Sequence, residues 1–113
     1  YINLHGTGTK HGDAYETGEI KEVFGARAYE MTMSSTKAAT GHMLGATGAV
    51  EIAATLLAMR DGFIPPTLNL EEKDKVCDLD YTPLKAREKQ TRTALKVSMG
   101  FGGQAMAILL RKI

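Results

Sequence analysis

The chain has 113 residues, 43% of them apolar, and a formal charge of +1. That suffices for one small globular domain, is too apolar for a disordered one, and gives no electrostatic reason to expect nucleic acid or a membrane surface as partner. No apolar run approaches the roughly 20 residues of a membrane span. Cys77 is the only cysteine, which excludes an internal disulfide and fits a reducing compartment.

The chain opens YINLHGTGT, with neither an initiator Met nor a signal-peptide layout. Tyr1 to His5 reads as a strand feeding the loop Gly6–Gly12. A strand at the very start suggests a piece of a longer protein. Asp13 is placed to cap a helix, with Glu16 three residues on as its capping-box partner. That helix is expected to run to about Phe24, with Ile20, Val23 and Phe24 on one face and Gly25 ending it. Gly18 weakens it by about 1 kcal/mol relative to Ala. Tyr29 to Ser34 is a second strand candidate. A second helix is expected from about Ala46 to Arg60, ATGAVEIAATLLAMR, with Glu51 its only charge between Ala49 and Met59. A helix apolar nearly all round must be covered on most sides, so a further part of the protein is expected to pack on it. Pro65 and Pro66 in DGFIPPTLNLEE exclude a central strand there. CDLDYTP reads as extended and KAREKQTR as basic and solvated. Two final strands, Ala94–Met99 and Ala105–Arg111, are joined by the turn GFGG. The order is that of an α/β fold with a mixed sheet.

Two stretches carry chemistry: HGTGTKHGD at residues 5–13 and TGHMLGATGAVE at residues 40–51. GHMLGATG superficially matches the glycine pattern that seats a dinucleotide on a helix N-terminus. That pattern needs an apolar strand before it, whereas SSTKAAT is small and polar. Its last glycine would fall on Glu51, a carboxylate that repels phosphate, and no Gly-Lys-Ser/Thr follows to make a P-loop. His5 and His42 each stand where a strand ends or a helix begins, beside glycines, which is where active sites of α/β sheets usually lie. A lone loop histidine is more often structural. Two of them in glycine-rich loops, with Lys37 five residues before His42, tilt the reading toward catalysis without deciding it. Glu51, on the apolar helix, is expected to be buried and to need a partner. Lys37 is the natural candidate, with capping or a local pair to Arg60 or Lys10 as alternatives.

HGTGT, SSTKAATGHMLGATGAVE, DGFIPPTLNLEEKD, CDLDYTPLKARE and GFGGQAMAILL occur in this order across essentially the whole chain. The set resembles the C-terminal portion of the β-ketoacyl-ACP synthases of the second type, the elongating condensing enzymes of fatty-acid synthesis. HGTGTKHGD is nearer the form in polyketide ketosynthases, and CDLDYTPLKARE nearer the fatty-acid enzymes. The resemblance implies a thiolase-like fold, stacked as five layers (αβαβα) in the complete protein. Residues 1–113 would form most of its C-terminal half, and the other half would carry the nucleophilic cysteine.

The resemblance also assigns roles. His5, His42 and Lys37 correspond to catalytic residues, and Glu51 to a supporting one. Phe101 corresponds to a gating residue in the GFGG turn, and Thr7 and Thr9 to the threonines that hold pantetheine. It implies no metal or other cofactor. The implied partner is acyl carrier protein, bearing acyl and malonyl groups, and the implied setting is a cytoplasmic homodimer with no nucleic acid and no membrane. The reaction would be decarboxylative condensation of malonyl-ACP with an acyl-enzyme thioester, and this chain alone is expected to be inactive. Cys77 sits among Asp74, Asp78 and Asp80, surroundings that disfavour a thiolate nucleophile. A polyketide ketosynthase, or a non-condensing partner of the chain-length-factor type, is the alternative; the presence of both histidines speaks against the latter. Lys85, Arg87, Lys89 and Arg92 could face an acidic carrier protein, though a solvated surface is the simpler reading. His11 and Gln104 receive no role.

Overall fold

The computed structural model describes residues 1–113. In chain order its elements are β1 (Ile2–Asn3), α1 (Lys10–Phe24), β2 (Met33–Ser34), α2 (Lys37–Thr40), α3 (Thr47–Asp61), β3 (Phe63–Ile64), β4 (Arg87–Glu88), β5 (Thr93–Met99) and β6 (Ala105–Arg111). Short 3-10 turns at Gly25–Glu30 and Leu44–Ala46 precede β2 and α3. The main sheet has the order β2-β1-β5-β6; β1 is parallel to both neighbours, and β5 and β6 are antiparallel. It is the mixed sheet expected. The helical crossover through α1 makes β1 and β2 parallel, and the tight GFGG turn makes β5 and β6 antiparallel.

Ile2, Leu4, Ile20, Ala28, Met33 and Leu79 form the buried core, with Phe24, Leu95 and Val97 packed around it. It lies where α1 and the segment after α3 meet the sheet, directly beneath the end of β1. No helix is long and apolar enough to cross a membrane.

Two expectations need correction. Helix α1 begins at Lys10 with Thr9 as N-cap, not at Asp13. Asp13 lies in the first turn and accepts the Gly8 N–H at 3.2 Å. Glu16 closes no capping box; its carboxylate receives the N–H groups of His5 and Gly6, and a carboxylate shared by two amides is a stronger arrangement than one cap bond. Of Tyr29–Ser34 only Met33–Ser34 pairs as strand, because Gly25–Glu30 winds into a turn that buries Ala28 completely. KAREKQTR is exposed at every residue but Thr91, as expected, and the structure adds partners to it: Arg87–Glu88 pairs antiparallel with Phe63–Ile64, Arg87 forks onto Asp80, and Lys89 Nζ donates to Thr32 at 2.6 Å.

Helix α3 agrees with expectation, including the need for cover on its apolar residues. Its bounds match expectation to one residue, and Gly62, at φ 76°, closes it in the left-handed conformation that glycine adopts freely. Its faces are the reverse of a simple amphipathic helix. Thr47, Glu51, Thr55 and Ala58, one turn apart, are buried, while Val50, Leu56 and Leu57 are exposed. The sheet is therefore met by a polar stripe, and the apolar face looks outward.

Candidate active site

His5 leaves the end of β1 in a loop tied down on both sides. Its N–H and that of Gly6 donate to the two carboxylate oxygens of Glu16, at 2.7 and 2.8 Å. The Gly6 carbonyl accepts from Ser35 Oγ at 2.6 Å. Gly6 has φ +37°, and a Cβ there would collide with the Ser35 side chain, so the position requires glycine. Ser35 opens the segment that carries Lys37, so the loop of His5 and the helix of Lys37 are joined through a single contact.

His42 follows Gly41, which ends α2 with φ 78°. Two groups organise its ring. The Leu44 N–H donates to Nδ1 at 3.0 Å, with Leu44 itself held at the strained φ of 51°. The Thr47 hydroxyl lies 3.2 Å from the same nitrogen and accepts the Met43 N–H at 2.8 Å, which leaves its own proton for Nδ1. Nδ1 is thus an acceptor, so the neutral ring carries its proton on Nε2. The rings of His5 and His42 stand edge to face, 5.6 Å between centroids with planes at 87°.

Behind the histidines lies a buried ionic cluster. Glu51 is wholly buried. Lys37 Nζ donates to its Oε1 at 2.7 Å, while Arg60 pairs with Asp61 instead. Lys96 Nζ lies 2.7 Å from the other oxygen, Oε2. Sequence reasoning did not single out Lys96. It stands at the centre of TALKVSM, on the same strand face as the buried Ala94, and that alternation is the signal that points it inward. Burial lowers the pKa of Lys96, and Glu51 works against that shift. Burial, then Lys37, Lys96 and His42, bring His5 down to about 4, with Glu51 opposing them. At neutral pH His5 is therefore an uncharged imidazole.

A cleft of about 1310 Å³ opens beside His42 and is lined by Thr7, Lys37, Leu68, Cys77 and Tyr81 among others. Thr7 Oγ1 and Thr9 Oγ1 lie 3.1 Å apart, with Thr9 exposed where α1 begins. Cys77 is half-buried, its N–H bound to Asp74 Oδ1 at 3.1 Å. Phe101 is not gathered with the rest: at 99% exposure it stands free at the tip of the β5–β6 turn.

The family model for the β-ketoacyl synthase C-terminal domain matches residues 1–71. The ketoacyl synthase alpha subunit of the tetracenomycin polyketide synthase of Streptomyces glaucescens is 52% identical over 98% of this chain and 26% of its own length. 3-Oxoacyl-[acyl-carrier-protein] synthase 2 of Coxiella burnetii is 49% identical over 100% of this chain and 27% of its own. Among solved structures, a type II polyketide ketosynthase in complex with its acyl-carrier protein superposes with a TM-score of 0.97 at 38% identity, covering 100% of this chain and 28% of that one. A β-ketoacyl synthase from Burkholderia phymatum gives 0.91 at 37% identity, over 100% of this chain and 27% of that one. The chain spans about a quarter of the length of these relatives. The mixed sheet and its flanking helices are those of the thiolase-like fold, and the chain belongs to the β-ketoacyl synthase family, as part of its C-terminal domain.

Proposed function

We propose that these residues supply the decarboxylation half of the active site of a β-ketoacyl-ACP synthase. The observation that carries the reading is the approach of two imidazoles, His5 and His42, with ring centroids 5.6 Å apart, beside a cleft that His42 lines. A malonyl thioester enters with its pantetheine arm along Thr7 and Thr9. The C–C bond to its carboxylate breaks, carbon dioxide leaves, and the electron pair passes onto the thioester oxygen as an enolate. His42 Nε2–H and an N–H of His5 donate to that oxygen as its charge develops. An uncharged His5 donates without surrendering its proton to the enolate. The enolate carbon then attacks an acyl thioester on a cysteine; a new C–C bond forms, the thiolate departs, and the chain is two carbons longer. That cysteine is not Cys77, whose backbone is tied to Asp74 in an acidic loop. It lies outside Tyr1–Ile113, so this chain on its own is inactive. Phe101 gates the acyl side in this reading, and Lys37 with Glu51 holds the electrostatic setting. The protein acts as a soluble homodimer in the cytoplasm, with acyl carrier protein bringing both substrates. The named relatives fall on the polyketide and the fatty-acid side at 52% and 49% identity, so the proposal rests on the condensation common to both.

The test is carbon dioxide release from malonyl-ACP by the complete gene product carrying this chain. His42→Ala should lower it by about two to three orders of magnitude, the usual cost of one such donor. Release at the wild-type rate would remove His42 from the mechanism.

A further inference from the structure

We infer that Lys96 is a positioning residue for His5, reaching from β5 to hold the backbone from which the imidazole projects and to close a Lys37–Glu51–Lys96 cluster beside it. The inference rests on the catalytic reading of His5 given above.

A single lysine suffices to neutralise one carboxylate, and Lys37 already does so through a 2.7 Å hydrogen bond to Glu51. Lys96 is a second ammonium, 1% exposed, on the inward face of a strand. An apolar side chain there would avoid the cost of desolvating a charge. What Lys96 does that an apolar residue cannot is visible in its donors. Oε2 of Glu51 lies 2.7 Å away but receives no aligned hydrogen bond. Lys96 Nζ donates to the carbonyls of Leu4, at 3.3 Å, and Val97. Leu4 is the residue immediately before His5. The His5 backbone is therefore held from two sides, its preceding carbonyl by Lys96 and its own N–H and the next by Glu16.

The second effect is electrostatic. The charged and titratable groups around His5 are Asp13 and Glu16 from α1, Lys37 from α2, His42 from the turn that follows, Glu51 from α3 and Lys96 from β5. With both lysines charged, the Lys–Glu–Lys cluster carries one net positive charge and discourages a proton on the imidazole. Without Lys96 the cluster is neutral, and one of the two ammoniums that oppose a proton on His5 is gone while Glu51, which favours it, remains.

Histidine C2 hydrogen–deuterium exchange, read by mass spectrometry on the complete gene product, gives the titration midpoint of His5 whether or not the enzyme turns over. Lys96→Met should raise that midpoint by about one unit or more, the size of a nearby-charge effect. Lys96→Arg, which keeps the cation, should hold it nearly in place. The acid limb of malonyl-ACP decarboxylation should move up with the midpoint, with kcat lowered and KM little changed. If Lys96→Met does not fold, Lys96→Ser, which admits water to the vacated space, is read by the same criteria. A wild-type midpoint in the folded Met or Ser variant overturns the inference. A wild-type enzyme without decarboxylase activity defeats the proposed function instead, and the exchange midpoint still decides the role of Lys96.

Discussion

At His42 the orientation of a catalytic proton is decided by atoms that never touch substrate. The Leu44 N–H and the Thr47 hydroxyl both direct themselves at Nδ1, and the proton is left on Nε2. Thr47→Val removes one of the two. With a net hydrogen-bond contribution of about 1 kcal/mol, decarboxylation should fall roughly fivefold; an unchanged rate would show that Leu44 alone sets the tautomer. At His5 the consequence is a pH dependence of stability. Its pKa is about 4 in the folded chain against an ordinary value of 6.5, so between these the unfolded chain binds more protons. The His5 contribution should be level above pH 6.5 and decline as pH falls toward 4. Glu16 and Asp13, whose pKa values burial raises, act in the opposite sense at the acid end, so melts just below pH 6.5 read His5 most cleanly. A stability that does not fall there would contradict a depressed His5. At this scale the sequence was most legible where a charged residue broke an apolar pattern: Glu51 in its helix led to Lys37. Lys96 escaped because the same clue in a strand depends on register, and one residue of slip turns a side chain from core to solvent.

At the scale of elements, α3 carries the site on its inner stripe. Thr47 serves His42, Glu51 binds both lysines, and Thr55 returns its hydroxyl to the Glu51 carbonyl at 2.7 Å. Glu51→Gln keeps the shape and deletes the charge between two buried ammoniums. Breaking a buried pair in this way costs about 3–5 kcal/mol, which denaturant unfolding of the complete gene product should register. An unchanged midpoint would mean that the cluster is not ionic. The bounds of this helix were readable from its apolar run, to within one residue. Those of α1 were not: Asp13 with Glu16 three residues on reads as a capping pair, but Glu16 is drawn away by the amides of His5 and Gly6. Tyr29–Ser34 reads as a strand candidate, but its first two residues belong to the 3-10 turn that buries Ala28.

For the whole molecule, the sheet and the order of its elements followed from the alternation of strand and helix patterns and from the GFGG turn. The small β3–β4 sheet did not, since two-residue strands leave no periodicity to read. The exposed apolar residues of α3 agree with the expectation that this helix needs cover from elsewhere; which face they occupy depends on the polar stripe being spent on the site. Leu57 on α3 is 49% exposed and Leu109 on β6 is 69% exposed, and Leu56 and Met106 on the same two elements are exposed as well. Residues 1–113 expressed alone should therefore self-associate, and light scattering coupled to size exclusion should give a mass above the 12.2 kDa of one copy. Leu57→Lys with Leu109→Lys should reduce it. A monodisperse monomer of the unaltered chain would show that these surfaces need no cover.

The convergence of His5 and His42 on one oxygen is tested most directly by a crystal structure of the complete gene product with a malonyl-carrier analogue whose thioester sulfur is replaced by methylene. The analogue's carbonyl oxygen should lie about 2.7–3.1 Å from a ring nitrogen of both histidines, the range of a working oxyanion hole. An oxygen bound by only one ring, or turned away from both, would contradict the mechanism.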